Sequence, residues 1–127
     1  MGTLGAQLVG VRPGEVIIEL PFGGHLTQQH GFLHAGAITT IVDTACGYAA
    51  LTLMPEGAAV LTVEFKINLM KPAAGSMFRA TGKVLRAGKT LTITSGVVDA
   101  LSDDKWSTIA AMQATIMTIV DRKGLKD

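Results

Sequence analysis

The sequence predicts an α+β fold in which a strongly curved antiparallel β-sheet wraps around one long central helix. Three observations carry that prediction. Residues 35–54 contain no Lys or Arg and repeat apolar side chains at spacings of three and four (Ile38, Ile41, Val42, Ala45, Cys46, Ala49), as one face of a helix does. The remaining apolar stretches are short, alternate with polar residues and are bounded by Gly and Pro, as strands are. Most turns between the later stretches are short, which predicts antiparallel pairing of sequence neighbours. A lone helix without a solvated charged face has to be packed on by the strands.

In chain order, Gly5 to Val11 and Glu15 to Leu20 form a first hairpin that turns at Pro13-Gly14 and ends at Pro21 and Gly23-Gly24. Residues 22–34 are a loop rich in hydrogen-bonding groups: His25, Thr27, Gln28, Gln29, His30 and His34. Loops of this kind beside a rigid element are frequent functional locations. The helix follows, with Gly31 and Gly36 at its start, Ala-rich content favouring it, and Pro55 closing it. Pro55-Glu56-Gly57 turns the chain into a strand over residues 59–70. Strict alternation there sets Val60, Thr62, Glu64, Lys66 and Asn68 on one side and Leu61, Val63, Phe65, Ile67 and Leu69 on the other. Pro72 and Gly75 punctuate. Strands are expected over 77–86, 89–101, with Gly96 as a bulge, and 106–120, joined by turns at Ala87-Gly88 and Ser102-Asp103-Asp104.

Composition narrows the function classes. The 127 residues fit a single domain spanning 1–127, large enough for a substantial core. Only 17% of residues are charged and 48% are apolar, which leaves the surface short of charge and favours an oligomer. Net charge is +1 with no basic tract, so nucleic acid is not an expected partner. Cys46 is the single cysteine, so no intrachain disulfide forms. The N-terminal residues lack a signal-peptide pattern. A transmembrane reading of residues 35–54 meets Asp43 at the midpoint and no basic or aromatic flanks. A soluble cytoplasmic protein is expected.

Asp43 is the sharpest candidate for chemistry. A carboxylate on an otherwise apolar helix has to be hydrogen-bonded, paired or used in a reaction. The structural reading ties it to nearby backbone or to Thr39 or Thr40; the catalytic reading leaves it reactive. The step His34-Ala35-Gly36 opens the helix, where unpaired N–H groups and the helix field can polarise a carbonyl. The alternative is an ordinary loop-to-helix turn. His30 and His34 are four apart but have no acidic third ligand close in sequence, which argues against a metal. Cys46 is expected to be an apolar filler. No Gly-x-Ser-x-Gly elbow and no Gly-rich phosphate loop occurs.

Several segments together resemble a known family. They are Gln28-Gln29-His30-Gly31-Phe32-Leu33-His34-Ala35-Gly36, Asp43, Ala59-Val60-Leu61-Thr62-Val63, Asn68 through Gly75, and Gly88-Lys89-Thr90. In order and spacing they are similar to hotdog-fold acyl-CoA thioesterases of the phenylacetate-degradation (PaaI) type. The resemblance implies a single hotdog thioesterase domain that hydrolyses an acyl-CoA thioester to free acid and CoA. It also implies a homodimer with active sites at the interface, often a dimer of dimers. Asp43 matches the catalytic carboxylate, as nucleophile or general base. Gln28 matches a positioning amide, the Ala35 N–H the oxyanion donor, His34 the motif histidine and Thr62 the hydroxyl that assists Asp43. Asp43 and Thr62 would come from one subunit, and Gln28 and Ala35 from the other.

Ala35 stands where the family usually has Gly, a costly change only if that residue needs φ > 0. Gln28 is one methylene longer than the Asn of many relatives. No metal or organic cofactor is required by this chemistry. CoA is anionic, so Lys71, Arg86 and Lys89, at strand ends and turns, are candidate substrate contacts beside Gly36. Phe32, Tyr48 and Met54 are candidates to line the pocket for a medium, long or aryl acyl group. A hydratase using His30 or His34, or a non-catalytic acyl-CoA binder, would be the competing functions on the same fold.

Overall fold

The structure, a computed structural model, describes residues 5–23 and 32–120. Seven elements follow the chain: β1 (Gln7–Arg12), β2 (Glu15–Pro21), α1 (Ala35–Leu51), β3 (Ala59–Leu69), β4 (Met77–Arg86), β5 (Leu91–Ser102) and β6 (Lys105–Ile119). The predicted helix face is the core: Ile38, Ile41, Val42, Ala45, Cys46 and Ala49 are fully buried. They pack on alternating residues of the sheet, including Ile18 and Leu20 of β2, Phe78 and Ala80 of β4, Val98 of β5 and Ile116 of β6. Burial of this kind is worth about 1.5–3 kcal/mol for each large side chain. No described helix is long and apolar enough to cross a membrane.

All strand pairs are antiparallel, in the order β1-β2-β4-β5-β6-β3. This corrects the expectation that neighbours in sequence always pair. β3 does not pair with β4; it lies at the far edge against β6, and β4 pairs with β2 and β5. Residues 70–76 make the crossing. Three strand spacings are about 14 Å, within the reach of about 23 Å that seven extended residues have. The crossing is pinned by Met70 and Lys71 N–H groups donating to Ile109 O (2.8 and 3.2 Å) and by Leu33 N–H donating to Ala73 O (2.9 Å).

Two local expectations are also corrected. β3 does not alternate strictly: its register against β6 shifts between Thr62 and Glu64. The extra residue exchanges the faces, as bulges do. Val60 and Thr62 face the helix before it, and Ile67 faces the core after it. Gly96 is not a bulge. It pairs in register with Gly82 on one side and Met112 on the other, and the irregularities fall elsewhere, between Val84 and Arg86 and between Val98 and Asp99.

Candidate active site

Asp43 sits on the side of α1 that looks towards β3, half-buried. The Thr62 Oγ1–H donates to Asp43 Oδ1 at 2.8 Å. Thr39 and Thr40 do not hold this carboxylate. Their hydroxyls donate one turn back along the helix, to Ala35 O (2.9 Å) and Gly36 O (2.8 Å). Among the described residues Asp43 Oδ2 has no donor. Thr62 can reach Asp43 only because of the bulge. With Ile67 in the core, strict alternation would turn Thr62 to the outer face.

The start of the helix is built by His34. Its backbone is extended, its carbonyl accepts from Ala37 and Ile38 N–H, and its Nδ1 accepts from Gly36 N–H at 3.0 Å. An accepting Nδ1 places the ring proton of the neutral imidazole on Nε2. Three of the first N–H groups are thereby used, and the Ala35 N–H is left without an acceptor among the described residues. Ala35 is helical, and only Asp103 and Asp104 have positive φ among the described non-Gly residues, so Ala in place of Gly carries no backbone cost.

A cleft of about 380 Å³ opens at this helix end, lined by Phe32, Ala35, Ile38, Leu69, Lys71 and Ile109 among others. Lys71 thus lines the same cleft as Ala35. Arg86 and Lys89 do not: β4 ends with Arg86 near the helix C-terminus, where Gly14 joins Thr52 (N–H to Oγ1, 2.7 Å) and Val84 (2.8 Å). Phe32 lines the cleft, whereas Tyr48 lines a separate apolar pocket with Leu8, Val11 and Leu51, and Met54 packs on the core. Gln28 and His30 lie outside the described residues. Among the described residues no cluster of His, Cys, Asp and Glu is placed to hold a metal ion. Leu69 and Ile109 were not foreseen as cleft residues. The only sequence signal was the motif running from Asn68 to Gly75, which marks a crossing rather than a hairpin turn.

Cys46 is buried one turn after Asp43. Burial pushes its thiol up to about 11, the Thr94 hydrogen bond opposes this, and the Asp43 charge adds to the rise. A thiol held neutral is no nucleophile at pH 7. Cys46→Ala is therefore expected to keep kcat within about threefold. The linkage sign is also set. Above pH ~9 the unfolded thiol ionises while the folded one stays protonated until about 11, so folding stability falls across that window. The loss is on the order of 3 kcal/mol, and denaturant titrations of Cys46→Ala should lack that share of the slope.

Comparisons with known proteins bear on the family and the fold. The Thioesterase superfamily matches residues 30–106. The chain belongs to that superfamily. The match runs through α1, β3, β4 and β5 into the first residues of β6, and so contains both partners of the Asp43–Thr62 bond. A thioesterase family protein of Silicibacter pomeroyi superposes with TM-score 0.94 at 48% identity, over 95% of this chain and 89% of that one. The BH2602 protein of Bacillus halodurans, solved with CoA, superposes with TM-score 0.76 at 26% identity over 81% of this chain and 66% of that one. The esterase-named protein SSO2140 of Saccharolobus solfataricus is 33% identical over 71% of this chain, and the aligned part spans 64% of its own length. The hotdog architecture expected of a superfamily member is the one described above: one helix held in a curved antiparallel sheet.

Proposed function

We propose that the chain is an acyl-CoA thioesterase acting as a homodimer, with Asp43 as the reacting carboxylate. One observation carries the reading: a carboxylate on an apolar helix, oriented through Oδ1 by Thr62 and left, among the described residues, with a second oxygen for chemistry. Superfamily membership and a structural relative solved with CoA support the substrate class.

Distance supports the dimer. Ala35 and Asp43 are eight residues apart on one helix, about 12 Å along its axis. A carbonyl carbon within ~3 Å of its attacking atom and an oxyanion within ~3 Å of its donor cannot span that gap. For direct attack by Asp43, this separation favours one group from each chain over one chain supplying both. β3 is an edge strand with Leu61, Val63, Phe65 and Leu69 exposed. Antiparallel pairing of two β3 strands brings the Thr62 end of each alongside the Leu69 end of the other, where the cleft and Ala35 are. The Ala35 N–H of one protomer then holds the thioester oxygen while Asp43 of the other acts on the carbon. Asp43 either attacks, forming an anhydride that water opens, or takes the proton of an attacking water. In both courses the C–S bond breaks and the CoA thiolate leaves to be protonated. His34 fixes the helix start, and Gln28 aligns the thioester or the water. A dimer of dimers is the expected assembly, with one thioesterase domain per chain.

The same two-fold axis reverses the sheet, so that Lys71 of one protomer and Arg86 and Lys89 of its partner fall at one end of the joined sheet. They are proposed to contact the CoA phosphates. Replacing Lys71, Arg86 and Lys89 by Ala should raise KM for an acyl-CoA about tenfold, weaken its salt dependence and leave KM for the matching acyl-pantetheine unchanged. Equal rises for both substrates would remove these residues from phosphate binding. Thiol release from acyl-CoAs of two to sixteen carbons, with phenylacetyl- and benzoyl-CoA, tests the function. The apolar cleft predicts turnover of medium-chain, long-chain or aryl substrates, and no turnover on any of them refutes the reading.

A further inference from the structure

We infer that Gly82 and Gly96, which touch neither Asp43 nor the cleft, are positioning residues that set the depth of Asp43 against Thr62. The inference rests on the reading of Asp43 as the reacting carboxylate. The two glycines face each other across β4 and β5, and both are buried beneath the middle of α1. A Cβ on Gly82 would stand 2.5 Å from Ala45 C, 2.6 Å from Ala45 O and 2.6 Å from Cys46 N. Those are helix backbone atoms, which cannot turn aside. A Cβ on Gly96 would stand 2.5 Å from Val42 Cγ2 and 2.9 Å from Cys46 Sγ. The helix is therefore seated in a trough that exists only because two neighbouring strands lack side chains at one level. A glycine inside a strand commonly marks such a close approach of another backbone.

The trough lies beside the working residue. Val42, Ala45 and Cys46 all lie within three positions of Asp43. Asp43 reaches β3 through a single 2.8 Å hydrogen bond, whereas the backbone it sits on is fixed by β4 and β5. Any side chain at residue 82 lifts this turn by roughly 1 Å before ordinary contact is restored, and a misplacement of that size costs on the order of 10²-fold in rate. The groups proposed to bind CoA are not on this turn: Ala35 and Lys71 are at the helix start, and Arg86 and Lys89 are beyond its other end.

The test is Gly82→Ala, checked for folding by circular dichroism and for dimer mass. The expected result is kcat down about 100-fold with KM within threefold. A double-mutant cycle with Thr62→Ala separates positioning from general destabilisation. In wild type Thr62→Ala lowers kcat; in the Gly82→Ala background it adds nothing, because the Asp43–Thr62 bond is already lost. Wild-type kcat in Gly82→Ala, or an equal effect of Thr62→Ala in both backgrounds, overturns the inference. Should Gly82→Ala not fold, Gly96→Ala serves. Its clashes are with side-chain ends, so adding Val42→Ala and Cys46→Ala should restore kcat, and failure to restore it is the overturning result. If the wild-type protein proves inactive on every acyl-CoA, the functional reading fails alone. The crystal structure of Gly82→Ala then decides: Asp43 beyond hydrogen-bonding distance of Thr62 upholds the inference, and an unchanged bond ends it.

Discussion

Asp43→Asn should lower kcat for acyl-CoA hydrolysis by roughly 10³-fold, within the range that a positioned base contributes. The substitution keeps the shape of the side chain and an oxygen that can accept from Thr62, now 2.8 Å away. It removes the charge that makes the second oxygen basic or nucleophilic. Asp43 is half-buried at the helix surface rather than in the core, so stability should change by about 1 kcal/mol or less. Thiol-release kinetics beside thermal melts separate the two effects. A variant within tenfold of wild type would return Asp43 to a structural role.

Phe65→Glu should convert the proposed dimer to a monomer and take activity with it, at least 100-fold at submicromolar protein. Phe65 is 47% exposed in the single chain and Leu61 50%, so a charge at residue 65 costs the isolated fold little. At a paired β3 edge, the same change sets two carboxylates near the two-fold axis, and charge is one way natural edge strands are kept apart. Because Ala35 and Asp43 of one chain are separated by about 12 Å, the monomer would hold only half of each proposed site. Sedimentation velocity together with kcat measured against protein concentration checks this. Hydrolysis by a stable monomer would refute the shared site, and a Phe65→Glu dimer would refute the β3 interface.

The helix and its buried face were legible in the sequence, because apolar residues recur at a period of three to four in a run without Lys or Arg. The strand spans were legible for the same kind of reason: alternation and Gly-Pro punctuation are local properties. Asp43 stood out because a carboxylate in an apolar run demands a partner. The order of the strands was not legible. Seven residues between β3 and β4 permit either a loose hairpin or a crossing, and the choice was made by contacts distant in sequence, from Ile109 and Leu33. The facing of Thr62 was not legible either. A period of two predicts one side for Val60, Thr62, Glu64, Lys66 and Asn68, while the structure inserts one residue in register and splits them. Nor does a glycine in a strand announce its purpose: at Gly96 the sequence suggested a bulge, and the fold instead uses the missing side chain to admit a helix. Local periodicity thus determined which segments exist and which residues are buried. Register, crossing and close approach, which depend on atoms far apart in the chain, determined where the carboxylate meets its hydroxyl.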